Sequence, residues 1–204
     1  DISVRILINC GYTDSSIQQY IVALAESRQD CIAILDMPSS LQASTDALNY
    51  RNNVLNVNSS YAAIYTPDLQ IVDEFTDVKR YIPPSGKVAA TYARTDSTRE
   101  TWFSPAGLNR GQMTQVVGLR ETYDKGDRDL LYPSQVNTII KKNGLGWVAW
   151  GDKTLQGASS SLSFVNVRRL LIAIEVSVVA ALDFSLFEPN DSFTRFQIVQ
   201  QITN

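Results

Sequence analysis

The chain has 204 residues, 44% hydrophobic and 19% charged, with a formal net charge of −3. That balance belongs to a folded globular chain rather than a disordered one, and it offers no basic field to draw nucleic acid or an anionic membrane. Histidine is absent, which removes Ser-His and Cys-His dyads, His-ligated zinc and the usual proton shuttle near neutral pH.

In chain order, Ile2 to Asn9 is rich in Ile, Val and Leu and predicts a buried strand. The chain opens on Asp1-Ile2-Ser3 without a signal-peptide pattern, so it is expected to be an excised piece or the ordered part of a longer chain. Cys10-Gly11-Tyr12 predicts a turn, and Thr13 or Asp14 can cap a helix whose stripe is Ile17, Tyr20, Ile21 and Leu24. Cys31 to Met37 predicts a second buried strand, Pro38-Ser39-Ser40 opens a helix through Leu41, Thr45, Leu48 and Val54, and Tyr61 to Tyr65 predicts a third strand. Strand, helix, strand, helix, strand with short links predicts an α/β fold (α+β is the alternative). The expected architecture is a central mixed, largely parallel sheet covered by helices. Cys10 and Cys31 lie in apolar runs and are expected to be buried, reduced thiols.

The first βα turn, Cys10 to Asp14, has neither GxGxxG nor the GxxxxGK[ST] of a P-loop. Asp36, at the end of the second strand, is better placed to cap or bond a loop than to hold a ribose. Pro67 to Phe75 predicts a hairpin or meander, and the spacing of Asp73, Glu74 and Asp77 matches no EF-hand loop. Pro83-Pro84-Ser85-Gly86 opens a helix expected to pack closely through Gly86, Ala89, Ala90 and Ala93. Ser85 stands in no GxSxG elbow and has no His as base; a pairing with Lys87 is a remote alternative. Thr101 to Gly107 is a loop with two large aromatics, Trp102 and Phe103. No catalytic, cofactor-binding or metal-binding residues are therefore assigned.

Phe164 to Asn190 is the stretch around which the chain is expected to be organised. Leu170 to Leu182 is apolar almost throughout, broken by Glu175 and Ser177, so it predicts a core helix covered on most sides. It is shorter than the roughly 20 apolar residues of a membrane span, and insertion in a membrane is not expected. Arg168 and Arg169 precede it; at least one should pair internally, with Asp152 or Glu188, because an unpaired buried guanidinium is costly. Phe193, Phe196, Ile198, Val199 and Ile202 predict a last helix.

The segment Tyr81 to Gly107, YIPPSGKVAATYARTDSTRETWFSPAG, resembles the tail sheath proteins of contractile phage tails, with wording nearest the T4-like myophage branch. The resemblance continues in order through Leu131 to Ile139, ending in Asn-x-Ile. Next come Gly144 to Leu155, closing with Trp-Gly-x-Lys-Thr-Leu, the Val-Asn-Val-Arg-Arg-Leu helix, and Phe187-Glu188-Pro189-Asn190. The family's terminal arms, which carry β-augmentation between subunits, are not recognised, so residues 1–204 are expected to form a single sheath core domain.

The resemblance implies a structural protein of the virion and no enzyme. Such a subunit polymerises helically around a tail tube and contracts to drive the tube through the host envelope for genome ejection. Its implied partners are other sheath subunits, the tube, the baseplate and a tail terminator, with no cofactor; before assembly it is expected in the host cytoplasm. The alternatives are the sheath of a related injection machine and, further off, a small-ligand α/β enzyme. A sheath needs a stiff subunit, for which Leu170, Leu171, Ile174, Val178, Leu182, Trp147, Trp150 and Phe187, with Phe184, are the expected core. Lys79, Arg80, Lys87, Arg94, Arg110, Arg120, Lys125, Arg128, Lys141 and Lys142 are the candidate subunit or tube contacts, against the plainer reading of each as a solvated charge.

Overall fold

The computed structural model describes residues 4–203. The elements in order are β1 (Ile6–Ile8), α1 (Ser15–Arg28), β2 (Ile32–Asp36), α2 (Ser44–Asn49) continuing into a π-helical turn (Tyr50–Leu55), β3 (Ala62–Thr66), β4 (Leu69–Val72) and β5 (Lys79–Ile82). They are followed by α3 (Ser85–Thr98), α4 (Gly107–Arg110), β6 (Gln112–Met113), β7 (Gly118–Leu119) and α5 (Lys125–Leu131). The last are β8 (Val136–Lys142), β9 (Gly146–Trp150), α6 (Val165–Leu182) and α7 (Ser192–Thr203). Of the strand expected over residues 2–9, positions 2 and 3 lie outside the described residues.

A six-stranded sheet runs β1-β2-β3-β8-β9-β6. The first four strands are parallel and the last two pair antiparallel, which is the mixed, largely parallel sheet expected of the α/β pattern. A smaller sheet, β5-β4-β7, stands beside it. Every residue of β2 and β3 is buried, as parallel strands with both faces covered should be. Alternate side chains feed two cores. Ala33, Leu35, Ile64 and Val136 meet Val22 and Ala25 of α1, Ala47 of α2 and Leu131 of α5. Ile34, Tyr65 and Ile139 meet Val88 and Tyr92 of α3 and Val165 and Ile172 of α6.

The core therefore sits at the sheet, and the expectation that α6 forms its centre is corrected. Only Val165, Arg168, Arg169 and Ile172 of α6 are buried. Leu170, Leu171, Val178 and Leu182 are partly covered, Ile174 is 47% exposed and Phe187 is 99% exposed. The cause is length. Eighteen helical residues reach about 27 Å, whereas the five residues of β2 or β3 span about 17 Å. The second half of α6 thus runs past the sheet, where α7 packs against it. Phe184 is exposed as well, and Trp147 and Trp150 are only partly buried, on the β8–β9 hairpin.

Three smaller expectations are also corrected. On α1 the buried residues are Gln18, Val22 and Ala25, while Ile17, Tyr20 and Leu24 face outward. Gln18 fixes that rotation: its amide donates to the Asp36 carbonyl at 2.7 Å and accepts from the Tyr50 hydroxyl at 3.0 Å. On α3 the packed face is Ser85, Val88, Thr91, Tyr92 and Thr95; Gly86, Ala90 and Ala93 are exposed. Thr91 and Thr95 can be buried because their hydroxyls donate to the Lys87 and Thr91 carbonyls one turn back, at 2.9 and 2.8 Å. Cys31 is buried, but Cys10 is exposed in the turn it helps to form.

Candidate assembly surfaces

The first βα turn directs its backbone inward. The Gly11 N–H donates to Asp36 at 3.0 Å, and Asp36 also accepts from the Ser85 N–H at 2.6 Å and the Ser85 hydroxyl at 2.8 Å. Asp36 is fully buried. Burial raises its carboxyl above the usual range, opposed by the Ser85 and Gly11 donors. The donor that a nucleotide-binding turn would aim at a phosphate is thus spent on the chain's own carboxylate. Asp36 is the loop-bonding residue expected, and it ties β2 to the start of α3.

Several other motif residues brace the fold from within. Arg94 donates to the carbonyls of Arg110 (2.9 Å) and Gln112, fastening α4 and β6 to α3. Asp96 accepts from Arg169, whose guanidinium lies 4.7 Å from the Tyr92 ring centre. Arg168 donates to the Ser60 hydroxyl at 3.0 Å and lies 4.1 Å from the Tyr61 ring centre. Both arginines are partnered internally as expected, with Asp96 and Ser60 in place of Asp152 or Glu188. Asn137 donates to the Lys153 carbonyl at 2.7 Å and accepts from the Lys153 N–H at 2.8 Å. Gly151 lies against it so closely that a Cβ would stand 2.6 Å from the Asn137 Oδ1; this is why the Trp-Gly step needs glycine. Thr154 donates to the Leu162 carbonyl at 2.8 Å and Leu155 is fully buried. Phe187 differs from these motif side chains in having no cover.

Several candidate contact cations serve the fold as well. Arg120 pairs with Asp68 at 3.0 Å and lies 4.4 Å from the Tyr81 ring centre. Arg110 donates to the Ser104 carbonyl at 2.7 Å, Arg128 to the Tyr123 carbonyl at 2.8 Å, and Lys87 to Gln115 at 2.8 Å. Arg80 pairs with Asp73 at 3.1 Å on the exposed hairpin. Lys79 and Lys125 are exposed. Lys141 and Lys142 sit over Trp147 and Trp150, their ammonium groups 5.5 and 4.2 Å from the ring centres. The ten cations are thus spread over the small sheet, α3, the α4–α5 region and the β8–β9 hairpin, not gathered into one patch.

Two features escaped the sequence reading. Phe184, Leu186, Phe187, Phe193, Phe196, Val199 and Ile202 leave an extended apolar surface on α7 and the turn before it. Its sequence signal was apolar residues at every third position, 193 to 202, which read equally as a buried stripe. The other is Asp152, which lines a cleft of about 530 Å³ between α5, the loop at Ser104 and the end of β9. Burial pushes its carboxyl up to about 6, against the nearby Ser104 hydroxyl and the charges of Arg169 and Arg110. Among the described residues there is no group of three or more Cys, Asp and Glu arranged for a metal, and no helix long and apolar enough to cross a membrane.

Residues 2–155 match the family model for the phage tail sheath protein central domain. The chain is 34% identical over 197 residues to the tail sheath protein of Enterobacteria phage T4, covering 90% of this chain and 30% of that protein. It is 33% identical over 207 residues to the tail sheath protein of Vibrio phage KVP40, covering 92% of this chain and 31% of that one. Among solved structures, the contracted sheath complex of an extracellular contractile injection system (PVC) superposes with a TM-score of 0.81 at 22% identity. That match covers all of this chain and 54% of the other. The chain therefore spans less than a third of the phage relatives and about half of the matched solved chain.

Proposed function

The chain belongs to the phage tail sheath family, and on that premise we propose that it is the body of a structural subunit of a contractile phage tail. The match over residues 2–155 to the sheath central domain carries this reading. Copies polymerise around the tail tube in heterologous contacts that need not close, and contraction of that polymer drives the tube through the host envelope. The subunit works in the virion tail after folding in the host cytoplasm, beside the tube, the baseplate and the terminator. It has no enzymatic task. The single core domain acts as a rigid unit among its described residues, because the interlocked pairs Asp36–Ser85, Asp96–Arg169 and Asn137–Lys153 tie β2, α3, α6 and the β8–β9 region to one another.

The likeness to an injection-system sheath favours, as second reading, a sheath in a related contractile machine; the physics of the subunit is the same. In either, the exposed apolar surface around Phe187, Phe193 and Phe196 is larger than scattered surface residues account for and suits coverage by protein. Lys79, Lys125, Lys141 and Lys142 are the candidate cations least committed to the fold. Changing Lys141 and Lys142 together to Glu removes two exposed cation–π contacts, about 0.5–1 kcal/mol each, and should leave the melting temperature within a few degrees of wild type. The same change should reduce sedimentable polymer several-fold. Unaltered sedimentation would remove this hairpin from the assembly surface.

A further inference from the structure

The tip of the β8–β9 hairpin carries a chemically labile step. Asn143-Gly144 is the one place in the sequence where asparagine precedes glycine. Lys142 pairs with Gly146, and the Leu145 N–H donates to the Lys142 carbonyl at 3.1 Å, so Asn143 and Gly144 are the central residues of a turn. Gly144 stands at φ +79°, with open space where a side chain would be. Both residues are exposed. Among the described residues neither the Asn143 amide nor the Gly144 N–H is held by a hydrogen bond, whereas other exposed asparagines are held. Asn58, which precedes buried Ser59, accepts from the Gly157 N–H at 2.9 Å, and Asn190 accepts from Arg195 at 2.8 Å.

We propose that Asn143 is a site of spontaneous deamidation, an irreversible modification that makes this hairpin more acidic as the protein ages. The Gly144 nitrogen gives its proton to hydroxide and attacks the carbonyl carbon of the Asn143 side chain; glycine has no side chain to hinder that approach. The new N–C bond closes a succinimide ring, and the C–NH2 bond breaks to release ammonia. Water then opens the ring. Cleavage at the side-chain carbonyl leaves an aspartate at position 143. Cleavage at the main-chain carbonyl leaves an isoaspartate, with the backbone rerouted through Cβ. One water is consumed and one ammonia released, without oxidation or reduction. Either product makes the chain one charge more negative than its formal −3. The carboxylate arises next to Lys142 and near Lys141, which lie over Trp150 and Trp147. The isoaspartate also adds a methylene to the short connection between the paired residues Lys142 and Gly146, where loop length sets the hairpin register.

The test is an ageing experiment. The chain is held at 37 °C at pH 7 and pH 8, folded and in guanidinium chloride, and each asparagine is followed by peptide mapping with mass spectrometry. Isoaspartate is counted by enzymatic methylation of isoaspartyl carboxylates. In the folded chain Asn143 should convert within about tenfold of its rate in the denatured chain, with Asn58 about tenfold or more behind it. Conversion should run roughly tenfold faster at pH 8 than at pH 7, because the deprotonated nitrogen grows tenfold per pH unit. Acidic species should appear in step on ion exchange, and Asn143→Gln should remove them. Gly144→Ala should slow the step about tenfold in the denatured chain, where strain at the turn plays no part. Folded-state conversion slower than that tenfold limit would show that the turn protects Asn143 and would overturn the site. So would conversion of Asn58 at an equal rate, or acidic species that persist in Asn143→Gln. Conversion without any isoaspartate would overturn the succinimide route.

Discussion

Asp96 on α3 accepts from Arg169 on α6 across 73 positions of sequence. Between them they clamp the two helices that cover one face of the sheet. Arg169 is 7% exposed and Asp96 32%, so this is a half-buried pair in which the guanidinium also rests on Tyr92.

Removing one partner of that pair should cost more than removing both. Asp96→Ala strands a buried guanidinium, and a loss of about 2–4 kcal/mol in urea unfolding is expected. Adding Arg169→Met should restore part of it, giving a coupling energy on the order of 1–3 kcal/mol. Strict additivity of the two single changes would mean that the pair does not hold α3 to α6.

Asp152 should make stability fall as pH rises. Its carboxyl titrates near 6 in the folded chain and near 3.9 when unfolded, so between those values the folded state holds more protons. The stability present below about pH 4 is lost progressively toward pH 6, on the order of 2–3 kcal/mol in all. Arg169 and Arg110 face the same carboxyl and limit the loss. Asp152→Asn should therefore stabilise the chain at pH 7.5 and change little at pH 4. A difference that does not vary with pH would refute the assignment.

The two isoleucines of α6 separate the core from its overhang. Read from the sequence, Ile174→Asp should unfold the chain by burying a charge. With Ile174 47% exposed, the expected cost is below about 1 kcal/mol. Ile172 is 4% exposed within the core shared with Tyr65 and Tyr92, and Ile172→Asp should abolish cooperative melting in circular dichroism. The reverse ranking would restore α6 to the centre of the core.

What was legible in the sequence follows from what is local. The parallel strands announced themselves through Cys31 to Met37 and Tyr61 to Tyr65, because a strand buried on both faces must be apolar throughout. Asp14 as the cap of α1 and the break at Pro83-Pro84 were equally local signals. What failed depended on distance. Nothing in Ile17, Tyr20 and Leu24 says that a glutamine between them will turn inward to meet Asp36 and Tyr50. Nothing in the apolar run to Leu182 says that the sheet ends before the helix does. The motifs identified the family, yet several of their polar side chains, Ser85, Arg94, Asp96, Asn137, Arg168 and Arg169, proved to be internal braces. A surface built to meet a neighbour carries little local pattern of its own, since a side chain covered by a partner looks in sequence like one covered by its own chain.

The most direct test of the sheath assignment is negative-stain electron microscopy of the full-length protein at high concentration, alone and with purified tail tubes. Hollow, striated tubes of regular pitch are the predicted result, assembling at lower concentration when tail tubes are present. Particles that stay monomeric under both conditions would contradict the account.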